Sequence, residues 1–265
     1  DITVIVTEDL NIVLPEQPGG EDWMQQLRRF WQERIEKRWL EYSFLQKRQE
    51  LMREAERITG VPGLEPFSRY YAANSDSPGA YAYTLGAMKA FFDKPFSERI
   101  LGTLKILLID GEFYRDDNRK EYTDAFNTLQ RVPESLRKLE SDLTDEGEFG
   151  YSFSQVRSEK ASAGVKRKRR ESITRHLDER AATLVNKGIE ALRTVHRVVH
   201  GVLHGEVGGS YDTLQNLGQI GGRGNKAFLK RLSDSLDELA DAEALFADLY
   251  NMESVQANRD LPSSR

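Results

Sequence analysis

Between Thr194 and Phe228 one long amphipathic pattern stops, a glycine-rich crossing intervenes and a second long pattern begins, and any fold of this chain must accommodate that break. Eight of the twenty glycines fall in it (Gly201, Gly205, Gly208, Gly209, Gly218, Gly221, Gly222 and Gly224), as do three of the four histidines, His196, His200 and His204. Glycine is used where backbone takes positive φ or passes close to another group, so the stretch reads as specified irregular backbone between two helices.

The flanking patterns are helical. From Val165 to His204 the apolar residues Ile173, Leu177, Leu184, Leu192, Val195, Val199 and Val202 gather on one face, and from Asn225 to about Val255 Phe228, Leu232, Leu236, Leu239, Ala242, Phe246 and Leu249 do the same. Upstream, Glu21 to Thr59 reads as one long helix stopped by Gly60 and Pro62. Helices are also predicted over Ala80 to Phe92, Glu98 to Ile109, Asn118 to Arg131 and Pro133 to Leu143, the last opened by its proline. The stretch from Asp145 to Gly164 is weakly patterned. Ile2 to Leu14 carries β-branched residues suited to two short strands or one extended segment. The expected fold is therefore all-α, an elongated multi-helix bundle with a short extended or β N-terminal segment. It divides into a segment and linker over 1–20, a helical domain over 21–255 with a subdivision point near 145–165, and a frayed tail over 256–265.

Composition limits the function classes. With 38 Lys and Arg against 43 Asp and Glu, the net charge of −5 disfavours generic binding to a phosphate backbone. The chain has no cysteine, hence no disulfide, thiolate ligand or cysteine nucleophile. That is compatible with a reducing cytoplasm, which is favoured, and with export. No run reaches the ~20 apolar residues of a membrane span. The chain starts at Asp1 without methionine, as a processed product or a piece of a longer protein would.

Four stretches carry candidate chemistry. His196, His200 and His204 have the i, i+4 spacing that lets two imidazoles share a metal on a helix face. Four residues rise ~6 Å, so at most one pair, His200 with His204, ligates one ion; a boundary row beside the apolar face is the simpler reading. Arg223, Gly224, Asn225 and Lys226 follow the glycine loop at a helix start, where free amides and two cations suit an anion; a tight crossing capped by Asn225 is preferred. Lys166, Arg167, Lys168, Arg169 and Arg170 form a basic block at the start of a helix, unfavourable for its dipole and therefore expected to be unwound or paired with acids elsewhere. Without neighbouring aromatic side chains it suits partner docking better than base stacking. An acidic cluster at Glu112, Asp116, Asp117, Glu121 and Asp124 lacks the order of an EF-hand and suits ion pairs with Arg115, Arg119 and Lys120.

The segments Glu112 to Leu129 (EFYRDDNRKEYTDAFNTL) and His204 to Gly218 (HGEVGGSYDTLQNLG) resemble an uncharacterised, predominantly helical spirochaete protein family of unknown function. The resemblance implies a bacterial source and no catalytic residues or cofactor. Long mixed-charge helices without a coherent nucleophile, base and oxyanion set point to a non-enzymatic scaffold or adaptor that binds other protein chains or itself. Anion or small-ligand binding through 205–226, and nucleic-acid binding through 166–170, are the alternatives.

Overall fold

The computed structural model describes residues 5–6, 12–13, 31, 37–67, 80–93, 104, 116–204 and 222–260; the side chains of 5–6, 12–13, 37–42, 44, 116–119, 202–204, 222–226, 228–229, 231 and 256–260 lie outside the described set. The protein divides into two compact units, Asp1–Lys47 and Arg48–Arg265. The first contains two short strands, β1 (Ile5–Val6) and β2 (Ile12–Val13), paired antiparallel with Ile5 opposite Val13 and Val6 opposite Ile12. It also holds the start of helix α1 (Lys37–Thr59). All other described elements are helices: α2 (Ala82–Phe92), α3 (Asp116–Asp142), α4 (Glu148–Ser158), α5 (Ala163–His204) and α6 (Gly222–Asp260).

Three of these helices bury rows that repeat every seven residues. On α3 the row is Tyr122, Ala125, Leu129, Val132, Leu136 and Leu139, continued by Leu143 just beyond the helix; on α6 it is Leu232, Ser235, Leu239, Ala242, Phe246, Leu249 and Glu253. On α5 it is Ala181, Val185, Gly188, Leu192, Val195 and Val199. Alternating steps of three and four keep each row facing its partner when helices pack side by side at a shallow angle. Helix α5 meets α2, α3, α4 and α6, so its row is the common surface of the second unit.

Cross-helix pairs fix the direction of packing. Glu121 near the start of α3 pairs with Arg197 late in α5, and Asp142 at the end of α3 meets Arg180 early in α5 at 2.6 Å, so α3 and α5 run antiparallel. On the other side Arg193 meets Glu243 at 2.6 Å and Asn186 donates to the Tyr250 hydroxyl at 3.0 Å, so α5 and α6 are antiparallel as well. Exposed ion pairs contribute about 0–1 kcal/mol each, whereas each buried Leu, Val or Phe side chain contributes roughly 1.5–3 kcal/mol. The pairs record the register; the apolar rows hold it.

Pro133 lies inside α3, which runs unbroken from Asp116 to Asp142 where two shorter helices were expected. Proline removes one N–H and leaves the Leu129 carbonyl without its usual donor. The buried row passes through it, with Val132 and Leu136 on either side, and that tertiary burial outweighs the local penalty. The weakly patterned stretch after Asp145 holds α4, whose Phe149, Phe153 and Val156 are buried. Its start is set by the turn at 143–147, in which the Gly147 amide donates to the Thr144 carbonyl at 2.9 Å. Arg180 then ties the corner together, reaching Asp142 and, at 3.2 Å, Glu148, with its guanidinium 5.6 Å from the Phe149 ring centroid. Helix α6 continues past Val255 to Asp260.

The expected stop of α1 is present: Gly60 takes φ of +66°, and its amide donates to the Glu56 carbonyl at 2.9 Å. The chain then returns so that the Phe67 amide donates to the Ala82 carbonyl at 2.7 Å, and a side chain at Gly86 would meet the Glu65 carbonyl at 2.6 Å. From the predicted helix over Glu98 to Ile109 only Leu104 is described; it is helical and buried, and its carbonyl accepts the Tyr122 hydroxyl at 3.0 Å.

Two glycine substitutions separate these effects. A Cβ on Gly150 would overlap the Thr144 carbonyl oxygen, which is backbone held in the turn, whereas one on Gly60 meets nothing within 4 Å. Urea denaturation is expected to show Gly150→Ala destabilised by about 3 kcal/mol and Gly60→Ala, strained only by its left-handed φ, by about 1 kcal/mol.

Candidate functional site

The basic block lies within the first two turns of α5, and the helix runs through it intact. Its charges are accommodated by pairing: Arg167 meets Glu171 at 2.9 Å, Arg169 meets Glu159 at 2.5 Å, and the Lys166 ammonium donates to the Arg157 carbonyl at 3.0 Å. Of the two outcomes expected for a basic helix start, pairing rather than unwinding is found. From Ala163 to His176 no side chain is buried; the first that is belongs to Leu177. These residues carry six cations (Lys166, Arg167, Lys168, Arg169, Arg170 and Arg175) and one acid, Glu171. Lys168 and Arg175, one seven-residue repeat apart, are both exposed.

His196 and His200 stack obliquely on α5 with ring centroids 5.6 Å apart. Both are half-buried beside the apolar row, the boundary position expected for them. Burial, followed by the neighbouring His200, pushes the His196 pKa below its ordinary value, with Glu243 and Asp237 opposing the shift. Among the described residues no three His, Asp or Glu groups are placed to hold a metal ion. The candidate partner His204 ends α5, but its side chain is outside the described set. So are the loop at 205–221 and the side chains of Arg223, Asn225 and Lys226. Backbone is helical from Gly222, which places Gly224 and Asn225 inside the first turn of α6, and Asn225 therefore does not cap it. In the acidic cluster, Glu121 pairs across to Arg197 of α5; Glu112 and the side chains of Asp116 and Asp117 lie outside the described residues.

A polar group that sequence reading missed is Glu253 on α6, 4% exposed. Its Oε1 accepts the Tyr83 amide at 2.9 Å; its Oε2 accepts the Thr84 amide at 3.0 Å and the Thr84 hydroxyl at 2.5 Å. Helix α2 has no cap from its own N-terminal residue, Tyr81. Glu253 therefore satisfies two orphan amides of its first turn from across the fold. Around it Tyr81 stacks on Tyr250 with ring centroids 5.0 Å apart, and the Ala80 amide donates to Asp178 at 3.3 Å. The Arg48 guanidinium lies 4.9 Å from the centroid of the Tyr83 ring. Burial pushes the Glu253 carboxyl up to about 7, against the opposing hydrogen bonds from Thr84 and Tyr83 and the charge of Arg48. The available signal was an acid continuing the seven-residue row of α6, four residues after Leu249.

Residues 1–246 match the family model described as Family of unknown function (DUF5312), and the chain belongs to that family. No curated protein and no solved structure matches it. No described helix is long and apolar enough to cross a membrane.

The His196 shift gives a pH dependence of definite sign. A histidine with a lowered folded pKa favours the neutral form, so its stabilising contribution is present above the unfolded value of 6.5 and is lost as pH falls through that range. The stability difference between wild type and His196→Asn, measured by urea denaturation, is expected to shift in favour of the variant on going from about pH 7.5 to 5.5. An unchanged difference would remove this role.

Proposed function

We propose that this member of the DUF5312 family is a non-enzymatic scaffold or adaptor, and that the basic start of α5 is its docking surface for an acidic protein partner. The observation that carries the reading is the run from Ala163 to His176, in which no side chain is buried and six cations face one acid within a chain of net charge −5. Ile173 packs partly buried against the core and His176 lies 5.8 Å from the Phe149 ring, whereas the cations Lys168 and Arg175 of the same stretch are exposed. Charge of one sign on such a stretch steers an oppositely charged surface and selects among partners. The α6 sequence between Arg231 and Arg259 holds no Lys or Arg, and its acids Asp234, Asp237, Asp241 and Asp248 are exposed, so a second copy is one source of such a surface. The anion-binding reading rests on the residues of 205–226 alone. A spirochaete source is likewise proposed, on the resemblance of Glu112–Leu129 and His204–Gly218.

The test is a paired capture from native extract with wild type and the double variant Lys168→Glu, Arg175→Glu, which leaves the described ion pairs intact. Wild type is expected to retain a defined protein, or to show concentration-dependent mass by light scattering. That retention should weaken between roughly 50 and 200 mM salt and be absent for the variant. Equal recovery with both proteins contradicts the reading, and loss of the retained material on nuclease treatment replaces it with nucleic-acid binding.

A further inference from the structure

The basic start of α5 has a complement on the same chain. On α5 the exposed side chains Val165, Lys168, Ser172, Arg175 and Glu179 recur in steps of three, four, three and four, which places them in one stripe. On α6 the exposed side chains Lys230, Asp234, Asp237, Asp241 and Ala244 recur in steps of four, three, four and three. At ~100° per residue each stripe lies on the far side of its helix from the buried row, clear of the common seam. Among the described residues only Asp241 of the two stripes forms an ion pair, with Arg57 at 3.4 Å, and both of those side chains are more than half exposed.

Run in opposite directions, the stripes match position by position. Val165 falls opposite Ala244, Lys168 opposite Asp241, Ser172 opposite Asp237, Arg175 opposite Asp234 and Glu179 opposite Lys230. The charges stay complementary through the point at which both stripes change sign, between Arg175 and Glu179 on one and Asp234 and Lys230 on the other. Sliding by one seven-residue step loses this, setting Glu179 against Asp237 or Arg175 against Ala227. Laid parallel with Val165 opposite Asp234, the helices bring Glu179 against Asp248. Opposed like charges disfavour a pairing and opposite charges favour it, so the pattern selects one orientation and one register.

Within one chain these stripes do not meet. Arg193 beside Glu243 and Asn186 beside Tyr250 set the register of α5 on α6 in the fold. In that register Arg175 is level with the C-terminal end of α6, about 40 Å along the axis from Asp234. We infer that the acidic stripe of α6 receives the basic start of α5 from a second copy of this chain, antiparallel and in the register above; this names the partner of the docking surface proposed for α5 and rests on that proposal. Because the two stripes are displaced along each copy, the contact is head to tail, and every copy added leaves one stripe of each kind open. In the contact Lys168 shares the Asp241 carboxylate with Arg57, and Val165, 44% exposed in the single chain, is covered by Ala244.

The experiment is light scattering and cross-linking of the full chain. Wild type is expected to show a mass that rises with concentration at about 50 mM salt and returns to that of one chain at about 500 mM. Lys168→Glu with Arg175→Glu, and separately Asp234→Lys with Asp241→Lys, are each expected to stay single chains. The four changes together, which restore the complementarity and the net charge, are expected to associate as wild type does. The chain has no cysteine, so the register is read by mixing Ser172→Cys with Asp237→Cys and adding a short thiol-reactive cross-linker. These two should join roughly tenfold faster than Ser172→Cys joins Asp248→Cys. A wild type of constant mass, association that survives the α6 changes, a fourfold variant that stays single, or equal cross-linking of the two cysteine pairs overturns the inference. All the altered side chains are exposed; if a charge variant nevertheless does not fold, wild-type mass and cross-linking decide. Retention of a different protein by a wild type that stays a single chain sinks this inference and leaves the α5 docking surface standing, whereas association untouched by the α5 changes removes both.

Discussion

The second unit depends on one contact surface, the seven-residue row on α5. Ala181, Val185, Gly188, Leu192, Val195 and Val199 set two small residues among branched ones, and α3 and α6 lie antiparallel against them with matching rows. Gly188 shows how closely this surface is used. A Cβ there would overlap the terminal methyl of Met88, so α2 approaches α5 at the one point where the row carries no side chain. The remaining features follow from that packing: the corner held by Arg180, the unbroken course of α3 through Pro133, and the position of the α2 first turn beneath Glu253.

Where local and tertiary signals agree, the sequence was legible. The left-handed stop at Gly60, the apolar face of α5, the row from Leu232 to Leu249 and the boundary positions of His196 and His200 need only helical periodicity and turn chemistry to be found. Where they disagree, reading failed for physical reasons. Pro133 has a strong local meaning that the buried row overrides. Helix α4 is short, contains Gly150, and depends on a turn whose carbonyl at Thr144 fills the place of the missing side chain. Glu253 looked like one more surface acid, because its partner amide is 169 residues away in sequence. The charge block at 166–170 is plain in the sequence, whereas its accommodation by Glu171, Glu159 and the Arg157 carbonyl depends on how the chain folds back before α5.

Charge is distributed unevenly over this framework. The first turns of α5 are basic and lack buried side chains, whereas much of α6 is acidic on its outer face and contributes a continuous buried row from Leu232 to Leu249. The same acid-rich helix uses one of its carboxylates inside the fold, where burial rather than pairing governs its proton. One helix thus extends a surface beyond the common seam, and the other closes the seam at a titratable corner. Both features follow from where the seven-residue rows begin and end. The first buried side chain of α5 is Leu177, just before its row begins at Ala181; the α6 row runs one step too far, to an acid.

Site-resolved hydrogen exchange along α5 tests this arrangement most directly. If the seam is the element on which the unit depends, amides from Leu177 to Val199 exchange only by global unfolding and are the slowest in the chain, whereas those from Val165 to Ser172 exchange orders of magnitude faster despite belonging to the same helix. Uniform protection along α5, or a slow core in α3 and α6 that persists after Leu177 to Val199 has exchanged, would contradict it.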